Sequence, residues 1–160
     1  MLRLIDKQLY MKKIAYISGL FLLLTFFATN TFAQIRKIPA EVTNAFTEKY
    51  PNAKSVEWRD KLSGFTATFS QDSTNYMASF NNKGEWEYTE EPIDEDELPG
   101  GVKDGFDKSR YHDWNVNLVN RIEMPNDEVQ YKLEVGKGDI KKRNLYFNSE
   151  GRMLKDKLTL

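Results

Sequence analysis

Ile38-Pro39-Ala40-Glu41-Val42-Thr43-Asn44-Ala45-Phe46 is the stretch on which the fold turns, because the chain writes it twice. Sixty residues on, it returns as Leu98-Pro99-Gly100-Gly101-Val102-Lys103-Asp104-Gly105-Phe106. A second landmark, Phe80-Asn81-Asn82-Lys83-Gly84, returns as Phe147-Asn148-Ser149-Glu150-Gly151. Two landmarks in the same order predict a duplicated α+β unit, one copy in 34–91 and one in 92–160. The second landmark is offset by 67 residues and the first by 60. About seven residues are therefore added inside the second copy, where longer hairpins are the expected place.

Each copy opens with a short helix. Pro39 suits the first helical position, where an N–H would be unpaired anyway. Glu41 in the first turn faces the positive end of the helix dipole. Val42, Ala45, Phe46, Lys49 and Tyr50 follow at helical spacing, and Pro51-Asn52 stops the run. In the second copy Gly105 stands where the first has Ala45. Glycine inside a helix costs about 1 kcal/mol against alanine, so the second helix is expected to be the weaker.

Period-two alternation then predicts four strands. Val56 and Trp58 share a face; Phe65, Ala67 and Phe69 line a second strand, Tyr76, Ala78 and Phe80 a third, and Trp86 and Tyr88 a fourth. The links Asp60 to Gly64, Gln71 to Asn75 and Asn81 to Gly84 are short and polar, as antiparallel hairpins require. A type I turn closed by Gly84 at positive φ sets Phe80 opposite Trp86 and Ala78 opposite Tyr88. Those four side chains then share the face that meets the helix, and Met77, Ser79, Glu85 and Glu87 take the other. The second copy reads alike, with strands at Val116 to Glu123, Glu128 to Val135, Arg143 to Asn148 and Arg152 to Asp156. Its closing turn puts Phe147 opposite Met153 and sends Tyr146 and Leu154 outward. Between the copies, Glu90 to Glu97 holds six acids in eight residues. It lacks the spacing of a calcium loop and is read as a solvated linker.

The first 33 residues stand apart. Met11-Lys12-Lys13 is a basic start, Ile14 to Ala28 is almost wholly apolar, and Thr31-Phe32-Ala33 offers small residues before a cut at Gln34. That is the pattern of a secretory signal peptide over 1–33, with Met11 as an alternative start. Four of the 23 basic and one of the 24 acidic residues fall there, so the remainder carries a net charge of about −4. No basic footprint for phosphates is present, and nucleic acid is not an expected partner. Cysteine is absent, so an exported domain of this kind relies on core burial in place of disulfides. No cysteine is available to take a lipid at the cut either. The expected location is periplasmic or secreted, with no membrane insertion once the signal is removed.

No reaction can be read from the residues. His112 is the single histidine and sits in a predicted turn; no Gly-x-Ser-x-Gly elbow accompanies it. Gly136-Lys137-Gly138 lacks the strand-to-helix setting of a phosphate loop and reads as a hairpin tip. No catalytic residue, metal ligand set or cofactor is therefore assigned.

Taken together, Ile/Leu-Pro with Val and Phe at helical spacing, Tyr50-Pro51, a Trp-bearing strand and Phe-Asn-x-x-Gly before a closing strand resemble the PepSY-like family of secreted bacterial proteins. That family is grouped with the beta-lactamase-inhibitor-like fold. The resemblance runs from about Ile38 to Leu154. It implies two tandem helix-plus-four-strand antiparallel repeats, sheets side by side and helices packed on one face. It also implies a non-catalytic binding module for an envelope or secreted protein or peptide. Alternatives are an inhibitor of a secreted protease or beta-lactamase, and a carrier of a small ligand or metal. The inhibitors hold enzymes on a concave sheet face, and no inhibitory loop carries over to this chain. The binding candidates on the sheet face away from the helices are Thr66, Thr68, Met77, Tyr146 and Leu154. Trp114, in the turn after the second helix, is a further aromatic candidate.

Overall fold

A computed structural model describes residues 36–138 and 140–159. The predicted signal peptide lies outside the described residues. Pro39 takes the capping position of α1 (Ala40–Lys49), one residue before the first turn. Val42 and Phe46 are its buried residues, and the Tyr50 N–H closes the helix on the Phe46 carbonyl. The strands β1 (Lys54–Lys61), β2 (Gly64–Gln71), β3 (Thr74–Asn81) and β4 (Trp86–Ile93) follow. Then come α2 (Gly100–Asp107), β5 (Asn115–Glu123), β6 (Val129–Lys137), β7 (Lys141–Asn148) and β8 (Met153–Leu158). All belong to one unit, Lys37–Leu160.

The eight strands form a single antiparallel sheet in chain order. Its two halves are joined because β4 pairs with β5, from Thr89↔Glu123 to Ile93↔Val119. The hairpins of the second half are the longer ones. The starts of β5 and β6 are 14 residues apart against 10 for β1 and β2, and those of β6 and β7 are 12 apart against 10 for β2 and β3.

Both helices cover the same face. Val42 and Phe46 of α1 meet Phe65, Ala67, Phe69, Ala78 and Phe80; Val102 and Phe106 of α2 meet Val119, Leu133, Val135, Leu145 and Phe147. The Phe46 ring lies edge-on to Trp58 at 5.2 Å and to Phe69 at 5.1 Å. Fully burying a side chain of this size is worth about 1.5–3 kcal/mol, so these aromatics hold helix to sheet. Each closing hairpin also touches the first turn of its own helix. A Cβ on Gly84 (φ +82°) would lie 2.6 Å from the Glu41 carbonyl oxygen, and one on Gly151 (φ +88°) 1.8 Å from that of Gly101.

Three expectations need correction. Phe80 does pair with Trp86, but Tyr88 pairs with Ser79 and not with Ala78. A bulge sets Glu87 and Tyr88 together against Ser79, so Tyr88 turns to the far face and Thr89 takes the inner place opposite Ala78. The Thr89 hydroxyl earns that place by bonding to both the Tyr50 hydroxyl and the Trp86 indole N–H. The same irregularity sets Tyr146 against Lys155, although Phe147 pairs with Met153 as expected. Second, the link between β2 and β3 is only Asp72-Ser73, both at positive φ (51° and 69°), the two-residue turn whose twist suits a hairpin. Third, Glu90 to Ile93 is not linker but the end of β4, and the boundary at 91/92 falls inside that strand. Only Asp94–Glu97 lies between β4 and α2 as an acidic turn, closed by a reciprocal capping box.

The second half has its own tyrosine joint. Tyr111 donates to Asp156 at 2.5 Å, and Arg143 reaches the other carboxylate oxygen at 2.6 Å; Arg110 also pairs with Asp156. Burial alone would raise the Asp156 pKa, but the hydrogen bonds from Tyr111, Arg143 and Arg110 outweigh it and hold the carboxyl below its usual range. A lowered folded-state pKa contributes stability above the unfolded value of about 4, which is lost as pH falls through the folded value. Urea midpoints of the parent should therefore drop on acidification below about pH 4, and Asp156→Asn should be weaker at pH 7 with a flatter acid limb. Equal pH slopes in the two proteins would refute this role.

Candidate functional site

The far face of the sheet is assembled by register alone. One row across it runs Thr68, Met77, Glu90, Ile122, Gln130 and Asn148; beside it run Thr66, Ser79 and Tyr88, and on the other half Asn120, Lys132, Tyr146 and Lys155. The alternation that buries Phe, Leu and Val under the helices therefore collects polar groups here.

At its centre stands Glu90. Only 9% of its side chain is exposed, and it forms an ion pair with Lys132, whose side chain is 15% exposed. Asn120 donates its amide N–H to the same carboxylate oxygen at 3.2 Å. Beside them, burial pushes the Tyr146 phenol pKa up, and the charge of Glu90 and the neighbouring Tyr88 add to the shift. Lys155 and Lys157 stand over the Tyr146 ring at 5.9 and 5.7 Å. At the other end, Ser79 donates to Glu87 at 2.9 Å. The arrangement offers fixed charges and two tyrosines on a rigid backbone. His112 is exposed in the turn after α2, and among the described residues no group of three or more His, Cys, Asp or Glu is placed to hold a metal.

The structure brings only part of the predicted set together. Met77, Tyr146 and Leu154 are half-buried and Thr68 is exposed on this face. Thr66 points the same way but is 2% exposed, its hydroxyl without a partner among the described residues. Trp114 is elsewhere: it packs under α2 with its ring edge-on to Tyr111 at 5.0 Å, closing the end of the core. Glu90, Asn120, Lys132 and Tyr88 were missed. Lys132 had a usable signal, since it alternates with Tyr131 and Leu133 in β6 and so had to point outward.

The sequence pattern of the family described as "Putative beta-lactamase-inhibitor-like, PepSY-like" matches residues 63–155. No curated protein matches the chain. Among solved structures, a BLIP-like protein from Bacteroides fragilis NCTC 9343 is similar at 26% identity and TM-score 0.66, over 81% of this chain and 92% of that one. A DUF2874 family protein from Bacteroides ovatus ATCC 8483 matches at 26% identity and TM-score 0.67, over 77% and 89%. A structure described as one of "putative periplasmic proteins" from Bacteroides eggerthii DSM 20697 shares the fold at 23% identity and TM-score 0.68, over 77% and 90%. With the matched pattern spanning more than half of its length, the chain belongs to the PepSY-like, beta-lactamase-inhibitor-like family.

Proposed function

We propose that the chain is a non-catalytic protein- or peptide-binding module of the periplasm or the exterior, docking its partner on the far sheet face. The single observation that carries this is the Glu90–Lys132 pair with Asn120, set between Tyr88 and Tyr146. A buried ion pair gives little net stability over an apolar replacement, so its use on a face without a helix points to specificity. Tyrosines beside it supply rigid anchors of the kind that dominate interface energy. Thr68, Met77 and Leu154 extend the surface. Residues 1–33 act as a removable export signal, and the helix-plus-four-strand runs Ala40–Ile93 and Gly100–Leu158 are two copies of one unit. The matching seats of Gly84 on Glu41 and Gly151 on Gly101 support the duplication.

Photo-crosslinking in the native envelope tests this reading. A reactive group at Met77 or Tyr146 should give a discrete adduct that Tyr146→Asp, placed with the Met77 probe, abolishes. The same group at exposed Glu48 of α1 should give none. Equal labelling from both faces would overturn it. A second reading, inhibition of a secreted protease or beta-lactamase, is favoured by the likeness to the BLIP-like protein. Its test is titration of the mature chain, from Gln34 onward, against such enzymes; full activity at micromolar concentrations removes it.

A further inference from the structure

β3 pairs with β2 along its whole length, from Gly64↔Asn81 to Gln71↔Thr74, but with β4 only as far as Met77↔Glu90. Beyond that point β4 continues through Glu91, Pro92 and Ile93, paired with β5 alone. The sheet therefore splits at its middle, and Pro92 explains why. Backbone groups of successive strand residues point to opposite neighbours. Asn81 exchanges hydrogen bonds with Glu85 and Gly84 on the β4 side, so Ser79, Met77 and Asn75 face β4 as well. By the same alternation Glu90 and Pro92 face β3. Continued pairing would set Asn75 against Pro92 at a position where each must donate to the other, and proline has no N–H to give.

The parting leaves a cleft of about 560 Å³. Ser73 to Asn75 form one wall, Pro92 to Asp94 the other, and Val116 to Val119 of β5 the back. Leu118, 45% exposed, offers apolar surface there. The rim carries the carboxylates of Asp94, Glu95 and Glu97, and no cation lines it. The β3–β4 ladder pairs neither Asn75 nor Pro92, so by the same alternation the N–H and C=O of Asn75 and the C=O of Pro92 are turned into the gap.

We propose that this cleft takes a short extended peptide segment bearing a lysine or arginine. The segment's backbone meets the open groups of Asn75 and Pro92, as an added strand meets a sheet edge. The aliphatic stem of its basic side chain lies over Leu118, and the charge reaches the carboxylates at the rim. Asp94 and Glu97 already accept each other's backbone N–H, and a neutral or acidic segment leaves the remaining negative charge of the rim unbalanced. The cleft is separate from the Glu90–Lys132 pair, so it stands or falls independently of docking on the far face.

The test uses two fluorescein-labelled probes, acetyl-Val-Arg-Val-Arg-amide and its Gln counterpart, titrated by anisotropy against the chain from Gln34 onward. The Arg probe should bind at least about tenfold more tightly, and Glu95→Lys, an exposed change, should remove that preference. Pro92→Val restores the missing donor, lets β3 and β4 close, and should abolish binding of both probes. Tyr146→Asp should leave it unchanged. Should Pro92→Val misfold, hydrogen exchange on the parent decides instead: the Asn75 amide should exchange freely and become protected when the Arg probe is added. Equal binding of the two probes, binding retained by folded Pro92→Val, no binding at millimolar probe, or an Asn75 amide already protected would each overturn the proposal.

Discussion

Gly151→Ala should cost about 4 kcal/mol or more and leave the second half unfolded in modest urea. Two penalties coincide at this position. Its φ of +88° lies in the region that L side chains rarely adopt, and the added Cβ would sit 1.8 Å from the backbone oxygen of Gly101, which has no room to retreat because α2 is anchored by Val102. Gly105 makes the test sharper. Helix propensity alone predicts that Gly105→Ala stabilises α2 by about 1 kcal/mol. The packing predicts the reverse, since that Cβ would lie 2.0 Å from the Gly151 oxygen. Gly100, with nothing within 4 Å, is the control and should tolerate alanine. Urea denaturation of the three variants decides; a Gly105→Ala protein as stable as the parent would show that the helix and hairpin do not approach as described.

Glu90→Ala should be the next most damaging change, at about 3–5 kcal/mol, because it strands the Lys132 ammonium in a site only 15% exposed. The loss reflects an orphaned charge more than a strong bond. Replacing both partners, as Glu90→Leu with Lys132→Met, should therefore recover most of the stability while still disabling capture of a partner on the far face. A double-mutant cycle in urea measures the coupling. If the double variant is as unstable as the sum of the single ones, the two groups act separately and the centre of the proposed surface has been misplaced.

The different fates of Tyr88 and Trp86 show where sequence reading succeeds and where it stops. Trp86 was placed correctly because the Asn81–Gly84 turn is a local device, and it sets only the first pair beyond the hairpin. Two residues further, the bulge at Glu87 and Tyr88 goes with Thr89 reaching Tyr50, the residue that caps α1, 39 residues away in the chain. No local pattern encodes that bond. Trp114 shows a related limit: an aromatic in a turn looks the same whether it faces solvent or plugs the core beneath α2, and only the packing tells the two apart. Glu90 was lost to composition, since a strand that ends in Glu-Glu-Pro before three more acids is indistinguishable from an acidic linker until β5 is set beside it.

By itself the sequence determined two short amphipathic helices, each ahead of four strands, together with the hairpin glycines and the division into an apolar and a polar set of side chains. These follow from spacing and turn chemistry acting over a few residues. Only the tertiary structure decided that β4 and β5 unite the halves into one sheet, that the bulges send Tyr88 outward, and that Glu90 is buried against Lys132. Those outcomes rest on contacts between residues distant in the chain, where the match of hydrogen-bonding edges and the cost of isolating a charge outweigh any local preference.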